Sequence, residues 1–75
     1  MAKKKVEEHI YNLGNILIWT YNNHETMVKV IYLHDDVYKK RTSNEPHYDV
    51  VLLEGVDKGK ISCVPQDELR PVSSN

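Results

Sequence analysis

The sequence lacks a second cysteine. Its one thiol, Cys63, has no partner for an internal disulfide, which fits a reducing compartment and sets a cytoplasmic location as the expectation. Long apolar runs are missing as well. The longest is four residues, far short of the roughly 20 that a membrane-spanning helix needs. No secretion signal is expected either, because Met1-Ala2-Lys3-Lys4-Lys5 runs into Val6-Glu7-Glu8-His9 rather than an apolar stretch. Charge of one sign is absent: 10 basic residues face 11 acidic ones, for a net charge of −1. That excludes a uniformly basic nucleic-acid clamp. Finally, no catalytic motif is present. The expectation is therefore a protein without enzymatic activity, cofactor, metal, membrane contact or small-molecule substrate.

What is present is ordinary globular composition. The 75 residues are 40% apolar and 28% charged, enough for one folded domain and too few for two. A chain this short buries only about 60% of its unfolded surface, so burial against a partner would add stability. The bias toward Lys over Arg (eight against two), with six Asn, five Ile and five Tyr, suits an AT-rich genome such as a low-GC bacterium or its phage.

Four segments are rich in β-formers: Ile16 to Tyr21, Met27 to Leu33, Tyr48 to Leu53 and Ile61 to Val64. Each is short and bounded by turn formers, which favours strands over helices. Asn22-Asn23-His24-Glu25 reads as a hairpin link, because Asn tolerates positive φ. Gly55 to Gly59 reads as a second tight turn. A long polar loop is expected from about 34 to 46. Pro65 ends the fourth strand, Gln66 to Leu69 predicts one 3₁₀ turn, and Arg70-Pro71-Val72 a short closing strand at an edge. Ahead of these, Val6, Ile10 and Leu13 are spaced for a short helical turn that Gly14 ends. Residues 1–5 and 73–75 are expected to be flexible tails around a single domain spanning 6–72.

Short antiparallel strands in this order close into small barrels, and three fragments sharpen that expectation. Leu13-Gly14-Asn15 before an apolar strand, Tyr48-Asp49-Val50-Val51-Leu52-Leu53-Glu54-Gly55, and Val64-Pro65-Gln66-Asp67-Glu68-Leu69-Arg70-Pro71 together resemble the SH3-like barrels of the Tudor and KOW type. The resemblance covers about residues 13 to 72. It implies an all-β, five-stranded SH3-like barrel with one 3₁₀ turn before the last strand. A fold of this kind hosts many functions. Tudor domains that read methylated side chains ring a cation with aromatic faces. Tyr21 matches the first such position, whereas Met27, Leu53 and Val56 stand at the others, which argues against methyl-mark reading. KOW-type domains are commonly basic at their nucleic-acid face, and this chain is not basic overall.

The strands do not alternate cleanly. If Leu17, Trp19, Val28, Val30, Tyr32, Val50 and Leu52 point inward, the outward set still includes Ile16, Ile18, Met27, Ile31, Val51 and Leu53. A second apolar face of this kind is either covered by the chain's own N-terminal segment, through Val6, Ile10 and Leu13, or is a contact surface. The leading expectation is a non-enzymatic protein-interaction module, of the kind found among small phage or mobile-element accessory proteins. Its contact residues would be Ile16, Ile18, Tyr21, Met27, Ile31, Val51 and Leu53, and its partner another protein or a second copy in a homodimer.

The alternative is a nucleic-acid-binding domain. Lys39, Lys40 and Arg41 would meet phosphates, while Tyr32, Tyr38 and Tyr48 stack on bases. Asp35, Asp36 and Glu45 dilute the field in the same loop. Among the remaining candidates, His34-Asp35-Asp36 carries metal-ligand types, but its spacing matches no closed zinc motif, and the default is a solvated turn. Cys63 reads as a small buried thiol of the core. Trp19 reads as a core anchor.

Overall fold

The computed structural model describes residues 8–34 and 45–72; both expected tails and most of the long loop lie outside them. The chain is all-β. Its strands are β1 (Ile16–Tyr21), β2 (His24–His34), β3 (His47–Leu52), β4 (Ile61–Pro65) and β5 (Leu69–Pro71), with a 3₁₀ turn at Gln66–Glu68 between the last two. They form one five-stranded antiparallel sheet in the order β4-β3-β2-β1-β5. Among the described residues no ladder joins β4 to β5, so strand pairing does not close the sheet. No described helix is long and apolar enough to cross a membrane.

The turns explain why the strands begin and end where they do. Tyr21 pairs with His24, leaving a two-residue loop. Its residues, Asn22 and Asn23, sit at φ 51° and 67°. Two positive φ values are what the right-handed strand twist demands of so short a hairpin, and Asn supplies them at little steric cost. Gly55 and Gly59, at φ 86° and 92°, bracket the turn between β3 and β4. The Gly59 N–H donates to Leu52 O at 2.8 Å and the Leu52 N–H to Lys60 O at 2.9 Å, which holds that turn shut. At the far end, the Gln66 N–H donates to Pro46 O at 2.9 Å and ties the 3₁₀ turn to the entry of β3.

The core lies on one face of the sheet. Leu17, Val28, Val30, Tyr48, Val50, Val64 and Leu69 are buried there, with Tyr11, Trp19, Leu33 and Leu52 packed against them. β1 contributes odd-numbered residues and β3 even-numbered ones, as a pleat with period two requires. β2 changes phase midway. Val30 pairs with Val50, but Tyr32 pairs with Asp49, so Ile31 is an extra residue in a β-bulge. The bulge overturns one expectation: Tyr32 faces out, 53% exposed, and Leu33 takes the inward place.

Two further expectations change. Ile61 and Cys63 do share a face, but it is the outer one: Ile61 is 62% exposed and the Cys63 thiol is exposed too. The core residue of β4 is Val64. Ahead of β1, residues 8–15 form bends and a turn rather than helix. This segment is held by tertiary bonds that a helix would break. The Gly14 N–H donates to Val30 O at 2.8 Å, the Val30 N–H to Asn15 O at 2.9 Å and the Tyr11 N–H to the Tyr48 hydroxyl at 3.2 Å.

Candidate functional site

A groove of about 610 Å³ opens on the core side of the sheet, between the β1–β2 hairpin and the turn after β3. Its residues arrive by simple register. Trp19 and Tyr21 are i and i+2 on β1, so both point to the same face. Their rings stack with centroids 5.3 Å apart and planes 25° from parallel. The Trp19 indole N–H donates to Glu68 Oε1 at 2.9 Å, which fixes the ring. Tyr21 is 54% exposed, so part of its ring meets solvent. Opposite lie Glu54, Val56 and Asp57 on the 53–60 turn, with Glu25 at the hairpin end. Val56 is 99% exposed.

The groove is acidic. Glu25, Glu54 and Asp57 line it, and neither Lys nor Arg is among its lining residues, with His24 the one basic type. Glu54 accepts the Met27 N–H at 3.0 Å, which docks the turn onto β2. Glu25 pairs with Arg70 at 2.7 Å and Asp57 with Lys60 at 3.3 Å. Both pairs are on the surface, where such pairs contribute about 0–1 kcal/mol. An incoming cation can therefore compete for Asp57, whereas Glu25 shares the outer face with Met27 and its carboxylate stays with Arg70 there. The sequence marks Tyr21 as a contact residue and Trp19 as a core anchor. Trp19 does both: it packs on the core and lines the groove. The i, i+2 spacing of the two rings was the available signal.

The other expected contact residues lie elsewhere. Ile16, Ile18, Met27, Val51 and Leu53 are on the outer face, joined by Ile61. Ile16 is 41% exposed and the other four expected ones are half-buried. One cross-strand row reads Ile16, Lys29, Val51, Ile61, so a lysine stands inside the apolar strip. Ile31 sits apart, at the bulge. The N-terminal segment does not cover this face with Ile10 and Leu13, which are 65% and 62% exposed; Val6 is outside the described residues. Instead the segment runs to the core side. His9 Nε2 bonds His47 O at 3.1 Å, the Ile10 N–H donates to Gln66 Oε1 at 3.1 Å and the Tyr11 hydroxyl to Leu69 O at 3.3 Å.

The expected nucleic-acid set does not assemble among the described residues. Tyr38, Lys39, Lys40 and Arg41 lie outside them. Tyr48 is fully buried, so its ring is not offered for stacking on a base. Its hydroxyl donates to Gln66 Oε1, and burial pushes the phenol above its ordinary pKa of 10.0. Tyr32 is exposed and meets the His34 ring edge-on at 4.8 Å. Asp35 and Asp36, which follow His34 in the expected solvated turn, lie outside the described residues. Among the described residues His34 meets Asp49, at 2.7 Å from Nε2 to Oδ1. At the start of β3, burial raises the Glu45 carboxyl above its usual range, opposed by the Asp67 N–H that donates to it.

Compared with protein-family models, with curated proteins and with solved structures, the chain matches none of them.

Proposed function

We propose that this protein is a non-enzymatic protein-interaction module whose groove takes a Lys or Arg side chain from a partner polypeptide. One observation carries the reading: two stacked aromatic rings, Trp19 and Tyr21, face a wall bearing Glu54 and Asp57 in the same groove. Aromatic faces attract a cation through their quadrupole, and carboxylates add charge attraction and hydrogen-bond acceptors. A flat guanidinium can lie on the Tyr21 ring while its N–H groups reach a carboxylate.

The strand order also supports an SH3-like architecture, which by itself fixes no function. A four-strand meander, a 3₁₀ turn and a short fifth strand beside the first is the order of an SH3-like barrel of Tudor or KOW type. The outer face supports a homodimer less well, because Lys29 stands between Ile16 and Val51 and burying an ammonium without a partner is costly.

A backbone amide NMR titration tests the proposal. The labelled 75-residue chain is mixed with a short Gly-Arg peptide, the same peptide with citrulline in place of arginine, and short DNA and RNA. Shifts at residues 19–25 and 54–57 with the arginine peptide alone support it. Equal shifts with citrulline, or shifts only with nucleic acid, remove it.

A further inference from the structure

A second cluster lies at the opposite end of β2 from the groove, on the outer face. His34, Asp49 and Cys63 come from three adjacent strands, β2, β3 and β4. Register brings them together. Tyr32 pairs with Asp49 and Asp49 with Cys63, so these three share one cross-strand row, and His34 is two residues on from Tyr32. The Ile31 bulge makes this arrangement. Without the extra residue, His34 would turn to the core side and Leu33 to the outer face, because a one-residue slip inverts every side chain. Bulges re-aim side chains in this way next to functional sites.

We propose that His34, Asp49 and Cys63 bind a divalent transition metal, with zinc the best match. One ligand atom from each residue lies within 4.8 Å of the other two, and His34 Nε2 is 2.7 Å from Asp49 Oδ1. Zinc bonds of about 2.0–2.3 Å in a tetrahedron set ligand atoms about 3.3–3.8 Å apart. Binding opens the 2.7 Å His34–Asp49 contact slightly and closes the widest separation, at most 4.8 Å, toward the tetrahedral spacing. The donor set decides the metal. An imidazole nitrogen, a carboxylate oxygen and a thiolate sulfur suit zinc, whereas calcium and magnesium want oxygen alone. Metal binding displaces the thiol proton to solvent, so the Cys63 sulfur binds as thiolate.

The surroundings suit a site of this kind. The His34 and Asp49 side chains are 24% and 29% exposed, enough for entry and little enough for order. Cys63 is exposed. The Tyr32 ring packs edge-on against His34 at 4.8 Å and 82°, which limits rotation of the imidazole. All three ligands sit on strands, which hold geometry better than loops. Three protein donors leave a fourth position for water or a ligand from another molecule. None of the three lines the groove, so this site stands or falls independently of the peptide-binding reading.

Cobalt(II) titration of the reduced full chain tests the proposal. The expected result is one cobalt per chain, with a thiolate-to-cobalt charge-transfer band and the intense visible bands of tetrahedral geometry, both erased by adding zinc. Cys63→Ser loses the charge-transfer band; Asp49→Asn and His34→Gln weaken binding. A second readout needs no variant: zinc added to labelled wild-type chain moves the amide signals of residues 32–34, 49 and 61–64. A cobalt spectrum unchanged from that of the aqueous ion overturns the proposal. So does a thiolate band that persists with undiminished affinity in both Asp49→Asn and His34→Gln.

Discussion

The hydroxyl of Tyr48 accepts the backbone N–H of Tyr11 at 3.2 Å, joining the strand at the centre of the core to the segment that precedes the sheet. The same hydroxyl donates to Gln66 Oε1, and Gln66 in turn accepts the Ile10 N–H. One buried phenol thus connects residues 10–11, β3 and the 3₁₀ turn. Tyr48→Phe keeps the ring, leaves the part-buried Tyr11 N–H without its acceptor and takes one of two donors from Gln66 Oε1. It is expected to destabilise the fold by about 1–3 kcal/mol, the cost of leaving a buried polar group unsatisfied. Tyr48→Ala also empties the core and is expected to cost about 3–5 kcal/mol. Urea denaturation of the two variants measures both, and equal values would refute the distinct role of the hydroxyl.

The same phenol gives stability an alkaline limit. Its folded pKa lies above 10.0 because the ring is buried. Below the unfolded value both states are protonated and the contribution is fully present. Above it the unfolded chain gives up the proton first, so stability falls as pH rises through the folded pKa. Glu45, also raised by burial, acts in the same sense at acid pH: its contribution is full below 4.5 and is lost as pH rises through its folded pKa. Denaturation midpoints measured from pH 8 to 12 should fall less steeply in Tyr48→Phe than in wild type; parallel curves would count against the assignment.

The hairpin turn offers a gain as well as a loss. Asn22 and Asn23 both hold positive φ, so Asn22→Val should cost about 1–2 kcal/mol from left-handed backbone strain. Asn23→Gly, which creates the favoured Asn-Gly hairpin pair, should be neutral or stabilising. Thermal unfolding of both variants reads the two signs directly.

Deleting Ile31 is predicted to be far worse than changing it. The deletion removes the bulge, sends Leu33 out of the core and turns His34 away from Asp49. Ile31→Thr keeps the extra residue and should stay folded, because Ile31 is 39% exposed. Amide NMR dispersion distinguishes a folded sheet from a collapsed chain in each case.

In the groove, Tyr21→Ala should weaken binding of an arginine peptide by about threefold to thirtyfold, the range for losing one cation–π contact. Glu54→Lys should weaken it further and flatten its salt dependence. Trp19 fluorescence follows both titrations, and unchanged affinity in Tyr21→Ala would end the proposed role of the ring pair.

Much of the framework was legible because it is local. β1 runs from Ile16 to Tyr21 as its β-formers and the Asn pair dictate. β4, the 3₁₀ turn and β5 follow from Pro65 and the polar Gln-Asp-Glu step. Each of these depends on steric preferences within a few residues of chain. The functional geometry was less legible. Nothing near Ile31 announces a bulge, and a bulge reverses the facing of all that follows it. Cys63 alternates with Ile61 and so reads as a core residue, yet the pairing Asp49↔Cys63 puts it outside. The sequence around His34 reads as a solvated turn, and nothing local announces its contact with Asp49, 15 residues away.

By itself, then, the sequence determined an all-β chain, the places where it turns and the order of its strands along the chain. The tertiary structure alone decided which strands lie side by side, which face each residue takes, and hence that Trp19 and Tyr21 share a groove with Glu54 and Asp57 while His34, Asp49 and Cys63 converge. The reason is physical. Turn chemistry is set by the φ preferences of one or two residues, but facing and convergence are set by register between strands, which every contact across the sheet determines together.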